Sequence, residues 1–206
     1  MVEVLDEAAL RAGAEELGRR VPAFGAVLAR LGAPPLWERT PGFPTLVHII
    51  LEQQVSLASA RAAFERLKAA LPELTPASFL TLDDARLLAI GFSRQKTRYC
   101  RLLAAEILAG RFDLDGLAER EDDEVRAALV ALKGIGPWTA EIYLLMALLR
   151  PDSWPHGDLA LASAAKEVFG LSAVPSYAAL AERAEAWRPH RAVAARLLWH
   201  HYLNRG

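Results

Sequence analysis

The strongest constraint on the fold of this chain is its choice of apolar residues. Alanine and leucine contribute 39 and 34 of the 206 residues, whereas valine, isoleucine and threonine together contribute 23. Alanine and leucine are strong helix formers, and β-branched residues favour strands. The composition therefore predicts an all-α protein, and the length allows one large domain or two small lobes.

Apolar residues recur at helical spacing along most of the chain. In the segment SLASARAAFERLKAAL, Leu57, Ala60, Phe64 and Leu67 follow one another at steps of three and four. This spacing places them on one face of a helix, and Ser56 stands where an N-cap is expected. Similar segments elsewhere predict about ten helices packed as a bundle.

The breaks between these segments are short, and two of them are candidate boundaries. Gly32–Pro44 contains four prolines, and Arg150–Asp158 contains two more. We therefore expect a single unit over residues 1–206, built from two approximate lobes. One lobe is residues 44–150, and the other is residues 1–43 together with 151–206.

Composition also excludes several classes of protein. The charged and hydrophobic shares, 24% and 53%, exclude a disordered chain. No apolar run approaches the roughly 20 residues of a membrane span, and the N-terminus is acidic where a signal peptide is basic. We therefore expect a cytoplasmic protein. The single cysteine, Cys100, excludes an internal disulfide, an all-cysteine zinc site and a four-cysteine iron–sulfur cluster.

The segment LVALKGIGPWTAEIYLLM predicts a helix end, a tight turn and a new helix. Gly134 and Gly136 can adopt backbone angles closed to other residues, and Pro137 suits a first helical turn. Amide N–H groups that point outward beside a helix N-terminus bind phosphate without a basic side chain. The alternative is a glycine C-cap between two packed helices.

This segment resembles the helix–hairpin–helix motif of the base-excision DNA glycosylases. RPDSWPHGDLAL resembles the Gly/Pro-rich loop and aspartate that follow this motif in that superfamily. Three further segments resemble the AlkA-like 3-methyladenine DNA glycosylase II group, in the order of that family: IILEQQVSLASA, LAIGFSRQKTRYCRLLA and AEAWRPHRAVAARLLWHHY. The resemblance implies the compact form of the family, a two-lobed helical bundle with a DNA-binding cleft between the lobes.

The resemblance implies that the partner is double-stranded DNA containing damaged bases, bound by a monomer in the nucleoid. The hairpin residues expected to anchor a phosphate are Lys133, Gly134, Ile135, Gly136 and Thr139. Hairpins of this family often hold a monovalent cation through backbone carbonyls. The carbonyls of Lys133 and Ile135 are the candidates for Na⁺ or K⁺, and no other cofactor is expected.

The Gln53–Leu57 turn is expected to carry the wedge that fills the gap left in the duplex by an extruded nucleotide. By position in the family motif, Gln54 is the expected wedge, and Gln53 and Ser56 are expected DNA contacts. The alternative is that Gln53 and Gln54 cap the helix that begins near Ser56. Glu52 replaces the usual glycine of the motif, and a carboxylate near DNA is unfavourable.

Basic residues concentrate locally although the formal net charge is −1, which alone indicates no nucleic-acid partner. Residues 86–111 contain six basic residues and one acidic residue. We expect Lys96 to contact or face phosphate. Arg188 and Arg191 are expected either to do the same or to brace the loop that carries Asp158. For any single cluster, the alternative is a solvated helix face.

The resemblance assigns catalysis to Asp158, whose carboxylate would stabilise positive charge on the sugar as the base leaves. Taken alone, this aspartate also fits an ordinary N-cap. An aromatic pocket suits an electron-poor alkylated base. Trp138 and Trp199 match pocket positions of the family, and Tyr143 and Trp154 are nearby candidates. The alternative for Trp199 is a place in the helix core.

Relatives that also cleave the strand carry a lysine two residues after the second hairpin glycine, where this chain has Trp138. Lys133 precedes the glycines and cannot substitute for it. We therefore expect a monofunctional glycosylase that excises alkylated bases of the 3-methyladenine type in base excision repair. The alternatives are a glycosylase for an etheno, deaminated or oxidised base, or a non-catalytic protein that binds damaged DNA.

Overall fold

In the computed structural model, which describes residues 3–205, every regular element is helical. This confirms the all-α expectation. A 3₁₀-helix spans Asp115–Glu119. The α-helices are α1 (Glu7–Arg20), α2 (Pro22–Leu31), α3 (Phe43–Glu52), α4 (Leu57–Ala70), α5 (Pro76–Leu80), α6 (Asp84–Ile90), α7 (Arg94–Leu108), α8 (Asp122–Val130), α9 (Pro137–Met146), α10 (Leu159–Val168), α11 (Tyr177–Glu185) and α12 (Arg191–Leu203). Across the same residues, none of these helices is both long and apolar enough to span a membrane.

Side-chain oxygens cap the N-termini of many of these helices. Ser56 Oγ accepts the Ser59 amide N–H at 3.2 Å, and Ser93 Oγ accepts the Lys96 amide N–H at 3.2 Å. Each such bond satisfies a first-turn amide that has no partner inside the helix, and contributes about 1 kcal/mol. The N-cap expected at Ser56 is therefore confirmed.

The contacts within the chain divide it into two units. The middle unit is residues 39–143, and the terminal unit is residues 3–38 together with 144–205. The boundaries of the lobes expected from the sequence differ from these by a few residues. The DNA-binding cleft between lobes stays a prediction.

The middle unit is built around α3. Leu46, Val47, Ile49 and Ile50 are all fully buried, so this helix is apolar on nearly every side. A helix that is apolar all round must be enclosed by others, and α4 and α7 pack against it. The central place of α3 matters because the Gln53–Leu57 turn follows directly from its C-terminus.

The terminal unit is built around α12, which packs against α1, α2 and α10. The fully buried Arg196 donates from Nε to the Leu36 carbonyl at 2.9 Å and from Nη2 to the Leu145 carbonyl at 2.8 Å. Burial lowers the pKa of Arg196 to about 10, so the guanidinium keeps its charge at neutral pH. A buried charge is tolerated only when it is well hydrogen-bonded. Arg196 therefore ties the loop after α2 and the end of α9 to α12.

Candidate active site

The turn between α8 and α9 depends on Gly134. This residue has a φ of +97°, in the region that favours glycine, and the ring of Tyr99 lies against it. A Cβ at this position would lie 2.1 Å from Tyr99 Cγ, which is far inside contact distance. At Gly136, by contrast, a Cβ would meet nothing within 4 Å. Gly134 is therefore required both by its backbone angle and by close packing.

Gln53 supports the same turn from below. Its Nε2 donates to the Gly134 carbonyl and to Thr139 Oγ1, both at 3.0 Å. Thr139 is buried, as is Ile135. Gln53 and Thr139 were expected as DNA contacts, and the structure shows that they brace the hairpin. The Lys133 side chain, by contrast, is exposed.

Lys96 supports the preceding helix in a similar way. Its Nζ donates to the Leu51 carbonyl at 2.7 Å, at the C-terminus of α3. A cation at this end of a helix interacts favourably with the helix dipole. The amine is half-buried, and burial lowers the pKa of Lys96. The structure thus gives Lys96 a protein partner rather than leaving it directed at solvent.

The turn after α3 presents an exposed apolar surface. Gln54 has a left-handed φ of +56° and is exposed. Its neighbours Val55 and Leu57 are 46% and 62% exposed. The residue that caps α4 is Ser56, so neither glutamine serves as that cap. Both residues lie in the turn expected to carry the wedge, although the wedge itself was assigned to Gln54.

Glu52, which replaces the usual glycine, is neutralised inside the protein. Its carboxylate is buried and accepts two hydrogen bonds from Arg39, at 2.8 and 3.0 Å. His48 Nε2 lies 3.6 Å from the same carboxylate, and burial lowers the pKa of His48. Paired and enclosed in this way, Glu52 presents little negative charge to a ligand of the neighbouring turn.

The hairpin offers backbone oxygens to a cation. The Gly134 carbonyl accepts Gln53, and the Leu132 carbonyl accepts the Ile135 amide at 3.1 Å. The carbonyls of Lys133 and Ile135 remain the candidate ligands. Backbone carbonyl oxygens are suitable ligands for alkali cations, so the ligand type fits Na⁺ or K⁺. Within residues 3–205, no group of three His, Cys, Asp or Glu side chains is placed to hold a metal.

In the terminal unit, Asp158 accepts hydrogen bonds from a backbone amide and from an indole. Its Oδ1 accepts the Leu161 amide N–H at 2.9 Å, which makes it the N-cap of α10. The same oxygen accepts the Trp199 indole N–H at 3.3 Å. The carboxylate is half-buried. It is therefore a helix cap and also an oriented carboxylate beside an aromatic ring.

A second indole, which the sequence did not single out, lies beside Trp199. The rings of Trp37 and Trp199 meet edge to face, with centroids 6.5 Å apart and planes at 68°. Trp37 has a left-handed φ of +50°, which costs a residue other than glycine about 1–2 kcal/mol. The only sequence signal was an aromatic residue in the proline-rich break between helices.

Two of the other predicted pocket aromatics, Tyr143 and Trp154, are buried against partners of their own. Tyr143 is fully buried in the middle unit, where its hydroxyl oxygen accepts the Gly42 amide N–H at 3.0 Å. Burial raises the pKa of Tyr143 to about 12. Trp154 is buried against Trp187, with ring centroids 5.5 Å apart. Trp138 is half-buried in the first turn of α9.

Arg188 and Arg191 form an ion-pair network with the loop before Asp158. Arg191 donates to both carboxylate oxygens of Asp152 at 3.0 Å and to Glu185 at 2.7 Å. Arg188 pairs with the same two carboxylates. Of the two roles expected for these arginines, this is the bracing one.

The chain is similar to proteins of known family. It matches the HhH-GPD superfamily of base excision DNA repair proteins over residues 47–189. DNA-3-methyladenine glycosylase 1 of Schizosaccharomyces pombe is 28% identical over 166 residues, which cover 79% of this chain and 73% of that protein. The chain spans between 56% and 73% of the length of three curated relatives that it matches.

Two solved structures share the fold. DNA-3-methyladenine glycosidase from Bacillus halodurans has a TM-score of 0.77 at 28% identity, over 93% of this chain and 89% of that one. The S. pombe 3-methyladenine DNA glycosylase in complex with abasic DNA has a TM-score of 0.84 at 24% identity, over 91% and 95%. With the family match covering more than half of its residues, this chain belongs to the HhH-GPD superfamily of base excision DNA repair proteins.

Proposed function

We propose that this protein is a monofunctional DNA glycosylase that excises alkylated bases of the 3-methyladenine type from double-stranded DNA. The observation that carries the proposal is the Asp158 carboxylate, held by the Leu161 amide and the Trp199 indole. The similarity to DNA-3-methyladenine glycosylases supports the same substrate class.

The reaction needs a carboxylate beside the sugar. An alkylated, cationic base departs readily because it leaves as a neutral molecule. Positive charge then develops on the sugar, as in glycoside hydrolysis. The Asp158 carboxylate stabilises this charge and orients the water that attacks C1′. Trp199 fixes the orientation of the carboxylate through its N–H and contributes ring surface that favours a cationic base.

Access to the base requires that the nucleotide leave the helical stack. The amide N–H groups of Gly134, Gly136 and Thr139 anchor a phosphate beside the N-terminus of α9, without a requirement for basic side chains. Pro137 has no N–H, and the Ile135 N–H is donated to the Leu132 carbonyl. Gln54 enters the gap in the duplex, and the exposed Val55 and Leu57 contribute apolar surface around it. Gln53 and Lys96 keep this surface and the hairpin in place.

No Schiff base forms in this mechanism, because the position of the nucleophilic lysine is occupied by Trp138. A covalent imine requires an amine near C1′, and Lys133 lies before the hairpin glycines. The product is an abasic site in an intact strand.

The test is excision from duplexes that carry single lesions: 3-methyladenine, ethenoadenine, hypoxanthine or 8-oxoguanine. Alkali reveals abasic sites, and borohydride traps any imine. Asp158→Asn removes the charge but keeps a good N-cap, so we expect loss of excision with the fold retained. Asp83→Asn is the matched control, because Asp83 caps α6 in the same way.

Full excision by Asp158→Asn would exclude the proposed mechanism. Cleavage without alkali, together with borohydride trapping, would exclude the monofunctional assignment. Selective binding of a lesion without release of a base would point to a damage-binding protein instead.

A further inference from the structure

Trp37 has a positive φ, a backbone conformation that is disfavoured for residues with a Cβ. Within residues 3–205, three residues other than glycine have a positive φ, and Trp37 is the bulkiest of them. A strained residue persists only where the surrounding structure holds it in place, and such residues concentrate at functional sites. The elements that hold Trp37, and the groups it faces, therefore indicate what it does.

The peptide before Trp37 is held from the core of the terminal unit. The Leu36 carbonyl accepts a hydrogen bond at 2.9 Å from Nε of Arg196, a fully buried side chain. Arg196 belongs to α12, and Trp199 lies one helical turn further along the same helix. One buried guanidinium thus fixes Trp37 relative to the helix that carries Trp199.

Trp37 is also the more accessible of the two neighbouring indoles. Trp199 is only 8% exposed and uses its N–H to bond Asp158, whereas Trp37 is half-buried. The two rings meet edge to face, and His200 lies on another side of Trp37 with a centroid separation of 6.2 Å. Of the indole that bonds Asp158 and the indole beside it, Trp37 therefore offers the larger accessible surface.

We propose that Trp37 is a wall of the base pocket and sets its preference for cationic, alkylated purines over neutral ones. The inference rests on the proposed function and extends it to a residue outside the motifs. The face of an indole attracts a cation more strongly than a neutral ring of the same shape. Trp37 therefore adds discrimination, while Asp158 supplies the reaction.

The test compares Trp37→Leu and Trp37→Phe in single-turnover excision of 3-methyladenine, which is cationic in DNA, and of hypoxanthine, which is neutral. Trp37→Leu should lower the ratio of the two rates about tenfold, and Trp37→Phe should restore most of it. Binding to a duplex with a tetrahydrofuran abasic analogue should not change, because that ligand has no base. Trp187→Phe is the control for loss of an indole elsewhere in the same unit, where Trp187 stacks on Phe169.

A second measurement separates this inference from the proposed function. Quenching of tryptophan fluorescence by 7-methylguanosine, compared with guanosine, reports on the pocket without any reaction. Quenching that is selective for 7-methylguanosine and lost in Trp37→Leu would support the pocket wall even if no lesion were excised. Excision with an unchanged rate ratio and unchanged quenching in a folded Trp37→Leu variant would overturn the role of Trp37 and leave the glycosylase assignment intact.

Discussion

Replacement of Gly134 by alanine should damage the hairpin more than any other single methyl group added to this turn. The φ of +97° costs an alanine about 1–2 kcal/mol. The new Cβ would lie 2.1 Å from Tyr99 Cγ, whereas ordinary contact begins at 3.4 Å. Displacement of a packed ring costs about 1–3 kcal/mol. The Tyr99 hydroxyl also accepts Gln95 Nε2 at 2.6 Å, which restricts the movement of the ring. We expect a total loss of about 2–5 kcal/mol.

The measurement is urea-induced unfolding of Gly134→Ala beside Gly136→Ala. The control adds the same methyl group two residues away, where nothing lies within 4 Å, so its stability should change by less than about 0.5 kcal/mol. A double-mutant cycle with Tyr99→Ala then isolates the steric part, because removal of the ring relieves the clash but not the φ strain. Equal stabilities of the two alanine variants, or additive effects of Gly134→Ala and Tyr99→Ala, would refute the reasoning.

Three other perturbations follow from the contacts around the site. Lys96→Met should weaken binding to DNA without a change in its salt dependence, because Lys96 bonds to a protein carbonyl. Lys133→Met should instead reduce the slope of log binding constant against log salt concentration by about 0.9, the value for one lost phosphate contact. Glu52→Gln should lower the free energy of unfolding by about 1–3 kcal/mol, because Arg39 loses its counter-charge; a loss no larger than that of an exposed Glu→Gln change would contradict this. The hydrogen bond from Arg188 lowers the pKa of Glu185 below the ordinary glutamate value of 4.5. The ionised Glu185 therefore stabilises the folded protein above pH 4.5, and this stabilisation is lost as the pH falls through the lowered pKa. Glu185→Gln should therefore remove part of the acid dependence of urea midpoints measured on either side of pH 4.5.

The helices and their starts could be predicted because they depend on neighbouring residues. The N-cap at Ser56 needs only a serine and an amide three positions away. The N-cap at Asp158 is local in the same way. The cap is compatible with the catalytic role proposed for this residue, because a single oxygen, Oδ1, accepts both the Leu161 amide N–H and the Trp199 indole N–H. Local patterns carry this information in full, since helix capping and apolar periodicity act over a few residues.

The partners of basic side chains could not be predicted in this way. Lys96 was expected to contact or face phosphate because of its charge, yet it bonds to the Leu51 carbonyl, 45 residues away. For Arg191 the sequence left phosphate contact and bracing as alternatives, and the bond to Asp152, 39 residues away, corresponds to bracing. A composition count records a cation but not the carbonyl or carboxylate that the fold brings to it. Trp37 was missed for the same reason, since Arg196 reaches the peptide before it across 160 residues.

Aromatic residues near a motif posed a different problem. Tyr143 follows the hairpin closely in sequence, but its position on α9 directs it into the core of the middle unit. Helical phase, not distance along the chain, decides which face a residue occupies. Trp154 lies close to Asp158 in sequence and is likewise buried, against the ring of Trp187. Their assignment to the pocket stays a prediction without support from this packing.

The pair of Arg39 and Glu52 has a consequence for the exchange of segments between relatives. The two residues lie before and at the end of α3, 13 positions apart, and each neutralises the other. A chimera that receives α3 with a glycine at position 52 but keeps Arg39 would have a guanidinium without its carboxylate partner. A chimera that keeps Glu52 but lacks Arg39 would have a buried carboxylate without its cation. Each single replacement should therefore destabilise the protein, whereas a double replacement removes both charges together, so the effect of each depends on the state of the other. Recombination between this chain and its relatives should therefore succeed only when the crossover points lie outside residues 39–52.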